Sequence, residues 1–95
     1  EDVIGVTIDK ESEPIEILLE FSNKQWKYIN SKPLHGSQKV IEEKKDTTII
    51  SLEVQINFEL ERLIFSFGSN VKVLSPPSLI TTMLDRANEV VDVYS

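Results

Sequence analysis

The sequence predicts an α+β domain in which strand, helix, strand, strand, helix and strand follow one another, with one further helix at the end. Three observations predict it. Residues 15–21 and 50–56 carry apolar side chains at every second position, the period of a strand with one buried face. Residues 60–67 and 79–91 carry them three and four apart, the period of an amphipathic helix. Gly or Pro punctuates the joins at Pro33, Gly36, Gly68 and Pro76-Pro77.

Each element has its own justification. Ile15, Ile17, Leu19 and Phe21 alternate and share one face of the first strand. Ser22 follows as a helix N-cap, with Gln25 at the spacing of a capping box. That helix covers about 23–29 and must end before Pro33, whose ring disfavours helix in the residue ahead of it. Trp26 and Ile29, three apart, share its buried side, with Trp26 as a core anchor. Residues 32–36 form a loop, and a second strand runs near 37–44 around Val40 to a polar turn at 44–47. In the third strand Ile50, Leu52, Val54 and Ile56 point to the core, while Ser51, Glu53 and Gln55 face water. Asn57 caps the second helix, in which Leu60, Leu63, Ile64 and Phe67 face inward and Glu59, Glu61 and Arg62 outward. Gly68 ends that helix with positive φ. Val71 and Val73 mark a fourth strand, and Pro76-Pro77 opens the last helix.

This order is the split βαβ, or ferredoxin-like, pattern, with two helices on one face of a four-stranded antiparallel sheet in the order 4-1-3-2. The last helix has no place in the minimal fold. Leu79, Ile80, Met83, Leu84, Ala87, Val90 and Val91 give it a broad apolar stripe. That stripe covers the open sheet face or docks on another domain or chain.

Ninety-five residues make one domain. There is no apolar run long enough to span a membrane and no signal peptide, so a cytoplasmic location is expected. The absence of cysteine excludes disulfides, thiolate metal sites and cysteine nucleophiles, and one histidine excludes a multi-histidine metal cluster. The net charge of −6 argues against contact with a nucleic-acid backbone. Within residues 1–14, Glu1, Asp2, Asp9, Glu11 and Glu13 against Lys10 leave −4, so the body that follows holds only −2. The leading segment reads as a connector, with Val3 to Ile8 either the last strand of an upstream domain or a loose arm, or else an edge strand of this domain.

Catalytic and cofactor chemistry finds little support. His35 lies beside Gly36 in a loop with no carboxylate next to it in sequence. Ser22, Ser37 and Ser66 lack a nucleophile elbow, and three glycines cannot supply a dinucleotide or phosphate loop. Glu42-Glu43 beside Lys44-Lys45 reads as a solvated hairpin end, and Asp85, Arg86, Glu89 and Asp92 as the wet side of a helix; no calcium-loop spacing is present. Two relatives of the fold fail on residues. RNA recognition needs exposed aromatics on the central strands, and residues 49–56 contain none. A small acylphosphatase-type enzyme needs an arginine after the first strand, whereas Arg62 and Arg86 both fall on helices.

An ordered series of stretches carries a resemblance. Ile4-Gly5-Val6 leads in, followed by the apolar strand 15–21 and the short helix with Trp26. Then come Pro33-Leu34-His35-Gly36-Ser37-Gln38, Asn57-Phe58-Glu59-Leu60, Phe65-Ser66-Phe67-Gly68 and Val71-Lys72-Val73-Leu74-Ser75-Pro76. Together they resemble the C-terminal extension, or WCX domain, of WYL-domain bacterial transcriptional regulators. The resemblance implies a parent with an N-terminal helix-turn-helix, a central ligand-sensing WYL domain, and this ferredoxin-like region taking part in dimer contacts. Residues 1–14 would then be a connector or the tail of the WYL domain, and 15–95 the WCX-like domain. It implies the upstream WYL domain and a second protomer as partners, with no cofactor, no metal and no direct DNA or membrane contact. His35, Ser37 and Gln38 would form a ligand-facing or inter-domain patch; alternatively, His35 and Gln38 merely cap strand and helix ends.

The function expected is therefore an accessory domain that supports dimerisation and relays ligand sensing to DNA binding, with no enzymatic step. The alternative is a small-molecule-binding module like the ACT domains. Those use the first strand-helix turn, often with a glycine, where this chain has Ser22-Asn23-Lys24.

Overall fold

The computed structural model describes residues 13–95. The reading of residues 1–12 as the end of an upstream domain, an arm or an edge strand falls outside the described residues. In chain order the elements are β1 (Ile15–Ser22), α1 (Asn23–Ser31), β2 (Lys39–Glu43), β3 (Thr47–Val54), α2 (Phe58–Ser66), a 3-10 turn (Gly68–Asn70), β4 (Val71–Ser75) and α3 (Pro77–Tyr94).

The strands form one antiparallel sheet in the order β2-β3-β1-β4, which from the other edge is β4-β1-β3-β2. β1 and β3 run together from Ile15 opposite Val54 to Ser22 opposite Thr47. This places Ile17, Leu19 and Phe21 beside Leu52, Ile50 and Thr48 on one face, and all six are buried. Ile29 from α1, Leu60 and Ile64 from α2, Val73 from β4 and Leu79 from α3 complete a single apolar cluster with Leu34 and Val54. Phe21 lies at its centre, its ring meeting that of Phe67 edge to face with centroids 5.4 Å apart.

The caps follow the sequence. Ser22 Oγ accepts from the Gln25 backbone N–H at 3.2 Å, and Asn57 Oδ1 accepts from the Leu60 N–H at 2.9 Å. Gly68 takes φ +57°, the left-handed conformation that stops α2 after Phe67. α1 runs to Ser31, slightly past the expected end, and the chain leaves the helix at Lys32, directly before Pro33.

Three departures have physical causes. β2 begins at Lys39 rather than near residue 37, because Ser37 and Gln38 are held in the preceding loop by their own hydrogen bonds. Ser51, expected on the wet side of β3, is buried. β3 is an inner strand, and Leu18 on β1 and Lys39 on β2 flank this small residue in register. Glu53 on the same face stays exposed near the sheet end. Lastly, α3 packs against β4 and α2, and Leu79 enters the common core.

β2 is exposed along its whole length, and its pairing with β3 shifts between Val40 and Glu42. A bulge on an edge strand twists its free hydrogen-bonding groups away from unwanted pairing. No helix among the described residues is long and apolar enough to cross a membrane.

Candidate functional site

Two regions compete for function: the loop between α1 and β2, and the outer surface of α3. The loop gathers the three polar residues singled out from sequence. His35, Ser37 and Gln38 are half-buried, next to the buried Leu34. The Ser37 backbone N–H donates to His35 Nδ1 at 3.1 Å, so in the neutral ring the proton sits on Nε2. The Ser37 hydroxyl lies 2.8 Å from the same Nδ1. It also accepts from the Glu53 backbone N–H at 2.9 Å, which ties the loop to β3.

Gln38 faces the other way and clamps the loop to α1. Its Oε1 accepts from the Leu34 N–H at 3.0 Å, and its Nε2 donates to the Ile29 carbonyl at 3.3 Å. The second bond satisfies one of the carbonyls a helix leaves without partners at its C-terminus. The polar atoms of Ser37 and Gln38 thus anchor the loop to β3 and to the end of α1. Among the described residues no group of three metal-binding side chains gathers, and no buried side-chain nitrogen or oxygen lacks a hydrogen-bond partner.

Trp26 packs against the core cluster while remaining partly exposed; Ile29 is the buried residue of α1. The helix is short and lies across β1 and β3, so a side chain as large as indole reaches the core's rim.

Sequence reading missed two polar clusters. On the sheet face away from the core, Thr47 Oγ1 donates to Glu20 Oε2 at 2.7 Å, and Lys44 Nζ lies 3.4 Å from the same oxygen. The Thr47 hydrogen bond, aided by the charges of Lys44 and Lys72, holds the Glu20 carboxyl below its ordinary value despite some desolvation. The Lys44 approach spans the β2–β3 turn, but Glu20 sits on another strand and no local spacing announces the pair. Between α2 and α3, Arg86 Nη2 pairs with Glu61 Oε1 at 3.0 Å, and its guanidinium lies 4.8 Å from the centre of the Phe58 ring. Glu61 and Arg86 are 25 positions apart, so this contact too needs the fold.

The outer surface of α3 is the less ordinary feature. Its stripe reaches the core only at Leu79, with Ile80 and Met83 packed at the margin. Beyond them, Leu84 is 59% exposed, Val90 45% and Val91 60%. Ile80, Met83 and Leu84 line one wall of a groove of about 340 Å³, with Ile64, Phe65 and Val71 across from them. A groove and an adjoining apolar ridge on one helix make a surface suited to contact rather than to chemistry.

No curated protein matches the chain. The family model described as WCX domain matches residues 13–91, from the residues before β1 through most of α3. The chain, with its four-stranded antiparallel sheet and three helices, belongs to the WCX domain family.

Proposed function

We propose that this WCX domain is a ferredoxin-like accessory module of a cytoplasmic WYL-type helix-turn-helix transcriptional regulator. It contributes to dimerisation and relays ligand sensing from an upstream WYL domain to DNA binding. It performs no catalytic step and touches neither DNA nor membrane. One observation carries the reading beyond family membership: α3 is apolar along one side for its full length yet reaches the core only near its start. Exposed apolar area on this scale marks an interaction surface. The strand order and the βαββαβ succession support the ferredoxin-like description. The hydrogen bonds that tie Ser37 to β3 and Gln38 to α1 give the loop a fixed shape suited to an inter-domain contact.

The relay is thermodynamic. A ligand held mainly by the upstream domain changes DNA affinity only if it prefers one arrangement of the protomers over another, and a surface that differs between those arrangements is what this domain supplies. The test is made in the longer regulator. Leu84→Glu with Val91→Glu should lower operator affinity at least about tenfold, because helix-turn-helix proteins bind paired half-sites as dimers. Unchanged operator affinity together with an unchanged ligand response would remove the proposal.

A further inference from the structure

We propose that the groove between α2, β4 and α3 binds a free aliphatic carboxylate of medium chain length, with its tail along α3 and its carboxylate at Lys72. The site goes beyond the accessory role above and does not depend on it.

The groove exists because α3 is fixed at two points and spans the gap between them. Leu79 sits in the common core, and Arg86 Nη2 holds Glu61 of α2 at 3.0 Å. Between these points Ile80, Met83 and Leu84 face Ile64, Phe65 and Val71 across about 340 Å³ instead of closing on them. Apolar side chains that face a gap lose the dispersion contacts that a close-packed neighbour supplies. An apolar ligand that fills the gap restores them.

Shape selects the tail. From Ile80 to Ala87, the last residue of the wall, α3 rises about 10 Å, a length that suits an extended chain rather than a compact ring. Met83 contributes a flexible, polarizable side chain that adapts to such a tail.

Charge selects the head. Lys72 is the one charged side chain among the described residues that line the groove. Val71 and Val73 on either side of it pack on the core, so Lys72 starts from the other face of the sheet. β4 is an outer strand, however, and a flexible four-carbon stem reaches round its free edge. Among the described residues the Lys72 ammonium is in no ion pair. Glu20, its register partner on β1, is already held by Thr47 at 2.7 Å and Lys44 at 3.4 Å, and Lys72 acts on it through charge alone. A cation at the edge of an apolar groove recognises an amphipathic anion, whose body is buried while one polar group fixes its orientation. No carboxylate among the described lining residues repels it.

Decanoate is the probe, with decanol and decylamine as matched tails. Calorimetric titration of the 95-residue chain should show one decanoate bound per chain, with a Kd on the order of 10–100 μM. Decanol and decylamine should bind about tenfold more weakly or worse, since neither gives Lys72 a charged partner. Lys72→Gln should weaken decanoate about tenfold and leave decanol unchanged, whereas Lys72→Arg keeps most of the affinity. Ala87→Phe, which fills the groove, should abolish binding of all three while the circular dichroism spectrum stays that of the parent. Independently of any variant, backbone amide shifts during the titration should cluster at Val71, Lys72 and Leu84. Absence of saturable decanoate binding up to millimolar concentration, binding that survives Ala87→Phe in the folded chain, or shifts centred elsewhere would overturn the site. Decanol bound as tightly as decanoate, with no loss on Lys72→Gln, would overturn the carboxylate assignment.

Discussion

The hydroxyl of Ser37 accepts a hydrogen bond from the backbone N–H of Glu53 at 2.9 Å, joining the loop after α1 to the inner strand β3. Two residues at opposite ends of the second hairpin segment are thereby fixed, and the candidate inter-domain loop inherits the rigidity of the sheet. Ser37→Ala leaves that N–H without its side-chain partner. It should cost about 1 kcal/mol, which for a domain of this size is roughly 4–8 °C in melting temperature. Amide hydrogen exchange at Glu53 should accelerate; an unchanged rate would deny the bond a structural role.

Phe21 and Trp26 are predicted to behave differently. Phe21 is fully buried and meets Phe67 edge to face, so Phe21→Ala should cost about 3–5 kcal/mol, a large part of the total stability of a small domain. Trp26 is only partly buried, and Trp26→Ala should cost less, about 2–3 kcal/mol, since part of the ring stays in water in both states. Urea unfolding of both variants checks the order; equal losses would contradict it.

Glu20 provides a pH signature. Its folded-state carboxyl is held below the ordinary value of 4.5, first by the Thr47 hydroxyl. A depressed carboxyl stabilises the fold above the unfolded-state value, and that contribution is lost as pH falls through the lower folded-state value. Glu20→Gln should therefore be less stable than the parent at pH 7, by about 1 kcal/mol, the typical net worth of one hydrogen bond. The gap should close in acid. Thermal melts from pH 7 to pH 3 measure it, and a difference that persists at the acid end would exclude this cause.

Arg86 ties α3 to α2 through Glu61 and covers the Phe58 ring. A double-mutant cycle between Arg86→Ala and Glu61→Ala should give a coupling of about 0.5–1 kcal/mol, because both side chains are partly exposed and salt screens the pair. The coupling should shrink in high salt. A zero coupling at low salt would mean that the Glu61 pair does not help to hold α3 on α2.

Most of the fold was legible because local rules agreed with one another. The alternation of Ile17, Leu19 and Phe21, the caps at Ser22 and Asn57, the positive φ at Gly68 and Pro77 at the start of α3 are short-range properties, and each lies within the element it defines. The WCX resemblance was legible for a similar reason, since it follows an ordered series of such stretches. The burial of Ser51 was not, because alternation describes a strand's two faces but not what its neighbours place over them.

The roles of His35, Ser37 and Gln38 divide in the same way. Sequence put them in a loop beside a glycine. Only the folded chain brought Ser37 to Glu53, sixteen positions away, and Gln38 to the end of α1. The amphipathic stripe of α3 was determined by its residues alone, since helical periodicity is read from one segment. Which part of that stripe is left over for a partner was decided by tertiary structure: β4 and α2 are short, and they cover the helix only near its start. Burial depends on where other elements end, and that is a property of the assembled layers rather than of any one stretch of chain.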